Sequence, residues 1–343
     1  MKKQSKLLAL LLACAMTLAL SACGGNSATT STPAGSAAPA ASGSAASADK
    51  TYTVGICQLV QHNALDAATK GFKDALTEKL GDKVKFVEQN AAGDSATCAT
   101  ICNQFVSSNV DLIMANATPA LQAATAATNS IPILGTSVTD YGTALSIADW
   151  KGTTGTNVTG TADLAPLDKQ AEMIKTLFPD AKNVGILYCS AEPNSKYQST
   201  EITKYLTDAG YTCKEYTFAD SNDVAAVTKT ACDESDVLYV PTDNTAASCA
   251  ESINNIAEPA KVPIVAGESG ICTGCGVATL SIDYYDLGVV TGNMAYEVLV
   301  NGADPATTEI QFAPKTTYQY MADRCEKLGV KVPSDYVAIE VEK

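Results

Sequence analysis

From Tyr52 onward, short apolar runs alternate with longer amphipathic segments. Thr53-Val54-Gly55-Ile56-Cys57 has the composition of a β-strand. Residues 64–80 carry Leu65, Ala68, Phe72, Ala75, Leu76 and Leu80 at helical spacing, and Gly81 follows as a stop. The alternation continues with a strand at 84–87, a helix at 95–107 and a strand at Leu112-Ile113-Met114. A third helix at 119–127 and a fourth strand at Ile131-Pro132-Ile133-Leu134 complete the series. Strands alternating with helices in this way predict βαβ units and a parallel sheet.

The pattern then returns. Val184-Gly185-Ile186-Leu187 matches Val54-Gly55-Ile56-Cys57 at an offset of 130 residues. Asp236-Val237-Leu238-Tyr239 matches Asp111-Leu112-Ile113-Met114 at 125, and Val262-Pro263-Ile264-Val265 matches Ile131-Pro132-Ile133-Leu134 at 131. Three matches in one order predict an α/β fold of two doubly wound parallel-sheet lobes joined by a hinge. Lobe 1 is expected over 51–157 plus 284–311 and lobe 2 over 158–283 plus 312–343. The chain is expected to cross between lobes near the Gly/Thr-rich stretch 153–161, near 281–285 and near Phe312.

The first residues have a different character. Lys2, Lys3 and Lys6 precede an apolar run over 7–20, as in an export signal. Leu20-Ser21-Ala22-Cys23 resembles the lipobox of bacterial lipoproteins. That resemblance implies cleavage after residue 22 and lipidation of Cys23; the alternative is an ordinary secretory signal. Residues 24–49 are almost entirely Gly, Ser, Ala, Thr and Pro, so 23–50 reads as a lipidated Cys with a flexible tether. The expected location is extracytoplasmic, held to the cell membrane by the lipid.

Charge and composition narrow the chemistry. The formal charge is −14, and loss of Lys2, Lys3 and Lys6 with the signal takes it to −17. Such an acidic chain disfavours nucleic acid as a partner. His62 is the single histidine and Arg324 the single arginine. No cluster of arginines is available to hold an anion, and a Cys–His or Ser–His nucleophile would have to use His62. No G-x-S-x-G, P-loop or H-E-x-x-H motif is present. An extracellular enzyme is therefore the remote reading, and no cofactor and no metal is expected.

Ligands of open α/β sheets bind beyond the carboxyl ends of the strands. Those positions hold Gln58, His62, Asn90, Thr118, Pro119, Ser137 and Asp140 in the first half. In the second half they hold Glu192, Asn194, Ser195, Asp243, Asn244 and Glu268. They are hydrogen-bonding groups and carboxylates with almost no cations.

Several strings at these ends carry a family resemblance. They are Gly55-Ile56-Cys57-Gln58 with His62-x-Ala64-Leu65-Asp66, Asn90-Ala91-x-Gly93-Asp94 and Ala117-Thr118-Pro119-Ala120. Gly155-Thr156-Asn157-Val158-Thr159-Gly160, Glu192-x-Asn194-Ser195, Pro241-Thr242-Asp243-Asn244 and Asp283-Tyr284-Tyr285-x-Leu287-Gly288 extend it. Together they resemble the substrate-binding proteins of ABC importers, in the branch that includes tryptophan/tyrosine-binding lipoproteins. The resemblance spans about residues 52–340. It implies a periplasmic-binding-protein type I fold, a small-molecule ligand between the lobes, and an ABC permease with its ATPase as partners. A monomer is expected.

The resemblance points to an α-amino acid, with an aromatic one as the best guess and a sugar or nucleoside as the alternative. Thr118, Ser137 or Ser195, with helix-start N–H groups, would take the α-carboxylate. Asp243 would meet the α-ammonium, with Glu268 and Asp283 as alternatives. Tyr284 or Tyr285 would wall off the side chain, and Gln58, Asn90 and Asn244 would orient the remaining polar groups. Two stretches depart from the family pattern, Cys189-Ser190-Ala191-Glu192-Pro193-Asn194-Ser195 and Thr139-Asp140-Tyr141. Both border the expected cleft.

Cysteine is abundant, with 12 in the chain. Cys98 and Cys102 lie one turn apart, and Cys272-Thr273-Gly274-Cys275 is a C-x-x-C. These four would suit zinc only if brought together, and the two pairs are expected in different lobes. A Cys272–Cys275 disulfide is the first oxidised candidate, and small core residues the plain reading.

Overall fold

A computed structural model describes residues 50–340. The export signal, Cys23 and the tether as far as residue 49 lie outside the described residues.

The first half runs β1 (Tyr52–Gln58), α1 (Asn63–Leu80), β2 (Val84–Asn90), α2 (Ser95–Ser107), β3 (Leu112–Asn116), α3 (Thr118–Ala127), β4 (Ile133–Val138), α4 (Tyr141–Leu145) and β5 (Val158–Ala162). The second runs α5 (Leu167–Leu177), β6 (Asn183–Cys189), α6 (Pro193–Asp208), β7 (Thr212–Phe218), α7 (Val224–Glu234), β8 (Val237–Val240), α8 (Asn244–Ser248), α9 (Ala250–Ala260), β9 (Ile264–Ala266), α10 (Ser269–Cys275) and β10 (Ala278–Ile282). Then come α11 (Tyr284–Asn301), β11 (Gln311–Phe312), β12 (Thr316–Tyr320), α12 (Ala322–Leu328) and β13 (Val337–Ala338).

Two sheets result, in the orders β11-β5-β4-β3-β1-β2 and β13-β12-β10-β9-β8-β6-β7. The first is wholly parallel, and the second is parallel except where β12 runs against β10. Central strands such as β3, β4 and β8 are buried along their whole length. That is why they read as unbroken apolar runs rather than alternating ones.

The chain crosses between sheets three times: after β5, between β10 and α11, and between β11 and β12. The first crossing differs from the sequence expectation. β5 pairs with β4 in the first sheet, so the chain leaves that sheet after Ala162 rather than at 157/158. The Thr-rich run of β5 reads as a linker in sequence because hydroxyl-rich stretches also suit loops. In the fold, Thr136 and Thr161 form a buried hydroxyl network with Thr291 of α11.

α11 returns to the first sheet and packs along α1. The contact is made through small residues: Ala64, Ala68, Gly71 and Ala75 on one helix and Gly288, Gly292 and Ala295 on the other. A Cβ on Gly71 would collide with the carbonyl oxygen of Tyr285, and one on Gly288 with that of Ala68. Backbone atoms cannot swing aside as a side chain can, so added volume must separate the helices. Gly71→Ala should therefore lower stability by about 1–3 kcal/mol, or on the order of 2–4 °C in Tm per kcal/mol for a chain of this size. Thermal unfolding checks this, and an unchanged Tm would contradict the close approach.

Candidate ligand-binding cleft

The carboxyl ends of β1, β3, β4 and β5 face those of β6, β8 and β9, and the helices that follow them begin at the interface. Five helix starts are closed by a carboxylate side chain that accepts a backbone N–H. They are Asp94 on α2, Asp140 on α4, Asp243 on α8, Glu268 on α10 and Asp283 on α11. Among the helices that follow these strands, α1 after His62, α3 after Ala117, α5 after Pro166 and α6 after Glu192 have no side-chain cap. Uncapped first-turn N–H groups are ready acceptors of an anion.

One group of polar residues ties α6 to α8. The Glu192 carboxylate accepts from the Asn194 Nδ2, the Asn244 N–H and Nδ2, and the Thr245 N–H and hydroxyl, at 2.6–3.1 Å. Asp243 is equally occupied. Its Oδ1 accepts the Ala246 N–H at 2.7 Å, and its Oδ2 accepts the Cys189 N–H and the Ser195 hydroxyl, each at 2.7 Å. With five and three donors these carboxylates hold the architecture together and leave little capacity for a ligand. Burial, reinforced by the charge of Glu192, pushes the Asp243 carboxyl up to about 8.

A second group is less complete. Asp163 follows β5 at the first crossing, and accepts from the Thr139 hydroxyl at 3.2 Å and the Tyr284 hydroxyl at 2.9 Å. Glu268 follows β9 in the other lobe and accepts only the Gly270 and Ile271 N–H groups, both at 2.5 Å. Both residues are buried, at 4% and 1% exposure. Each carboxylate oxygen has a single donor and room for another. Burial pushes Asp163 up to about 6 and Glu268 up to about 7, with the Asp163 charge adding to the rise in Glu268. Among the described residues the ion pairs involve other acids, such as Lys73–Glu88 and Lys196–Glu215 on the outer surface. A buried pair of under-used carboxylates is a site for a cation brought from outside.

Other polar atoms at the interface are also unserved. The Ser137 hydroxyl is buried without a partner, as are the acceptors Asn194 Oδ1 and His62 Nδ1. Such orphans are rare in folded chains and call for an explanation. Ser137 also has φ +53°, and Ala117, immediately before α3, has φ +90° and ψ 158°. Both are strained for residues with a Cβ, and such strain concentrates at binding sites. A 240 Å³ cavity between the lobes is lined by Leu59, Val60, Pro119, Ala191 and Glu192 among others. A larger cavity of 680 Å³ lies on lobe 1 beside Gln122 and Asn157, and neither is lined by Ser137, Asp163 or Glu268. Its size does not make it the site, because it lacks convergent charge.

The lobes touch across the cleft. His62 Nε2 is 3.3 Å from Asn244 Oδ1, and Gln198 Nε2 is 3.5 Å from the Thr139 hydroxyl. Asn244 gives its Nδ2 to Glu192, so its Oδ1 accepts and His62 donates from Nε2. Burial lowers the imidazole below its ordinary range, which keeps it neutral.

The expected site residues therefore separate. His62 reaches Asn244 across the lobes, Pro119 lines the 240 Å³ cavity, and Thr118, Ser137, Asn194, Glu268 and Tyr284 are buried. Gln58 is buried but occupied by Val60, Asp66 and Thr69. Asn90 is exposed, with its Oδ1 accepting the Ala92 N–H. Asp140 caps α4 and Asp283 is an exposed cap of α11. Glu192, Ser195, Asp243 and Asn244 form the α6–α8 bracket. Asp163 was missed: it is one acid in a Thr/Ala stretch, and only the placement of β5 reveals it. The zinc arrangement does not form, since Cys98 and Cys102 belong to the lobe 1 core and Cys272 and Cys275 to the lobe 2 core, all as free thiols.

A family model described as ABC transporter substrate binding protein matches residues 53–341. The chain belongs to that family. Among curated proteins it is 40% identical over 265 residues to a tyrosine-binding protein of Clostridioides difficile, covering 76% of each chain. A Streptococcus pneumoniae ABC domain crystallised with L-Trp is 33% identical, with TM-score 0.80 over 83% of this chain and 97% of that one. A ligand-free, open substrate-binding protein with adhesive properties from Clostridium difficile is 36% identical, with TM-score 0.65 over 85% and 100%. At similar identity the better fit is to the complex, in line with the cross-lobe hydrogen bonds of this substrate-binding protein.

The carboxyl pair makes the empty protein sensitive to pH. An unfolded Asp or Glu titrates near 4, whereas folded Asp163 and Glu268 titrate at about 6 and 7. The folded state thus retains protons that the unfolded state has released. Their stabilising effect is present at the acid end and is lost as pH rises through the folded values. The Tm of Glu268→Gln minus that of wild type should become more positive from pH 5 to pH 8. Thermal unfolding of ligand-free protein at four pH values checks this, and a flat difference would remove Glu268 from the titrating pair.

Proposed function

We propose that this substrate-binding protein captures an aromatic α-amino acid between its lobes and delivers it unchanged to an ABC permease. The observation that carries the reading is a pair of complementary unmet needs in the cleft. Asp163 on the first sheet and Glu268 on the second are buried carboxylates with few donors. The start of α3 is uncapped and the Ser137 hydroxyl has no partner. This is the complement of a zwitterion, with the ammonium at Asp163 and Glu268 and the carboxylate at Ser137 and the first N–H groups of α3. Helix N–H groups do the work that arginine does elsewhere, which suits a chain whose one arginine lies outside the cleft. Leu59, Val60, Pro119 and Ala191 supply apolar lining for the side chain. The tyrosine-binding relative and the L-Trp complex support an aromatic ligand. Asp243, the first expectation for the ammonium, gives way to Asp163 and Glu268 because its oxygens are already taken.

The export signal, the lipobox-like Cys23 and the tether support an extracytoplasmic protein held to the membrane by lipid. Closure about the three crossings is the signal the permease reads. The bracket of His62 and Asn244 would hold the closed form.

The test is a thermal-shift panel of the twenty amino acids with representative sugars and nucleosides, on protein refolded to strip carried ligand. Ligand at about a thousand times its Kd stabilises by roughly 4 kcal/mol, or on the order of ten degrees here. Tyr, Trp or Phe should produce it, and their affinity should fall as pH drops through 7 and the carboxyls protonate. Asp163→Asn and Glu268→Gln should each weaken binding by about 10–100-fold, the worth of a charged hydrogen bond. A shift with sugars or nucleosides alone would discard this site chemistry.

A further inference from the structure

The chain's one arginine, Arg324 of α12, is buried. Glu258 Oε2 stands 3.9 Å from its Nε, beyond hydrogen-bond reach, while Glu258 Oε1 pairs with Lys327 at 2.9 Å. The guanidinium is turned to backbone instead. Nη1 donates to the carbonyl oxygens of Cys272 at 2.9 Å and Gly276 at 2.5 Å, and Nη2 to those of Thr273 and Gly274, each at 3.2 Å. These carbonyls close the last turn of α10, where a helix has acceptors without partners. A cation there serves them and suits the negative end of the helix.

The other end of α10 is Glu268, whose carboxylate accepts the Gly270 and Ile271 N–H groups. With seven residues, α10 is about 10 Å long at helical rise. The acid and the arginine therefore grip opposite ends of one short rod. Its flanks are close-packed. A Cβ on Gly274 would stand 2.3 Å from that of Ala250 on α9, and one on Gly267 would stand 2.4 Å from the Thr242 nitrogen. α12 is itself tied to the second sheet, since the Met321 N–H donates to the Val277 carbonyl at 3.0 Å. Gly270 and Thr273 line a 290 Å³ cavity with His62 and a 520 Å³ cavity with Tyr284, so α10 borders the space between the lobes.

We propose that Arg324 is a positioning residue for ligand binding: from α12 it fixes α10, and through α10 the Glu268 carboxylate that meets the ligand ammonium. The inference rests on the reading of Glu268 given above. Arg324 acts through the helix, because its guanidinium sits at the end remote from the carboxylate. The planar fork sets both the distance and the direction of α10. A lysine ammonium has three donors and no plane, so it cannot serve the same four carbonyls.

The test titrates L-Tyr and L-Trp calorimetrically into wild type, Arg324→Lys, Glu268→Gln and the double variant, each refolded to strip carried ligand. Arg324→Lys should weaken binding by about tenfold, the worth of one charged hydrogen bond. In the Glu268→Gln background the same change should cost less than about twofold, because residues that act as a unit are not additive. Equal losses in both backgrounds would show a general loosening of lobe 2 and overturn the proposal, as would an Arg324→Lys affinity equal to wild type. An unchanged affinity in Glu268→Gln would instead remove the ammonium site on which the proposal rests.

A second readout needs no ligand. Loosening α10 withdraws the N–H donors that favour the Glu268 carboxylate, so its pKa rises. The pH at which the Tm difference between Glu268→Gln and its parent changes should move up when the parent is Arg324→Lys. The groups whose charge acts on or responds to Glu268, namely Asp163, Tyr284, Cys272 and Cys275, are present in both parents. An unmoved transition would overturn the positioning role whatever the ligand. Should Arg324→Lys fail to fold, Gly274→Ala displaces the same end of α10 with Arg324 in place. It should weaken binding, and Ala250→Gly should restore it by relieving the contact. A Gly274→Ala affinity equal to wild type would overturn the proposal.

Discussion

Negative charge buried without a resident cation is the constraint on which this cleft depends. Asp163, Glu192, Asp243 and Glu268 are all at most 4% exposed. A buried carboxylate is tolerable only with donors around it or with its charge removed. Glu192 and Asp243 take the first route, through helix-start N–H groups and neighbouring hydroxyls and amides. Asp163 and Glu268 are left partly served and hold protons at higher pH than usual, and Asp243, beside the charge of Glu192, does so as well. The saturated pair ties the start of α6 to α8, and the unsaturated pair keeps spare acceptor capacity in the cleft.

The fold sets up this division by where it starts its helices. A parallel sheet gathers strand ends at one edge, and each following helix presents unpaired N–H groups there. An acidic cap consumes those groups, as at α8 and α10. Ala117 cannot, since it has no polar side chain, and its strained backbone turns α3 toward the cleft uncapped. The start of α3 is thus free for an anion for the same reason that α8 is not.

The strands, the two lobes and the family were legible in the sequence, because buried parallel strands are unbroken apolar runs and the second lobe repeats the first. The boundary at β5 was not. Val158-Thr159-Gly160-Thr161-Ala162 looks like linker, and only pairing with β4 and the hydroxyl network of Thr136, Thr161 and Thr291 make it a strand. The site was half legible. Residue type and position after a strand pointed to His62, Thr118, Ser137 and Glu268. The same rule also selected Asp243 and Gln58, whose polar atoms are occupied by neighbours distant in sequence. Saturation of a carboxylate is a count of donors, and sequence spacing carries no such count. Asp163 escaped for the converse reason, since its placement at the crossing follows from β5 alone.

Closure follows from the same accounting. In the closed arrangement His62 meets Asn244 and Gln198 meets Thr139, two neutral contacts across the lobes. Neutral hydrogen bonds of this kind contribute about 1 kcal/mol each. Against them stand the repulsion of Asp163 and Glu268 brought together when ionised, and the unpartnered atoms of Ser137 and Asn194 shut away from water. Opening relieves both penalties by readmitting solvent. A ligand with an ammonium and a carboxylate relieves both without opening. The differential affinity that drives closure is therefore located in these few groups, because a ligand shifts a conformational equilibrium only by what it gains in one state over the other.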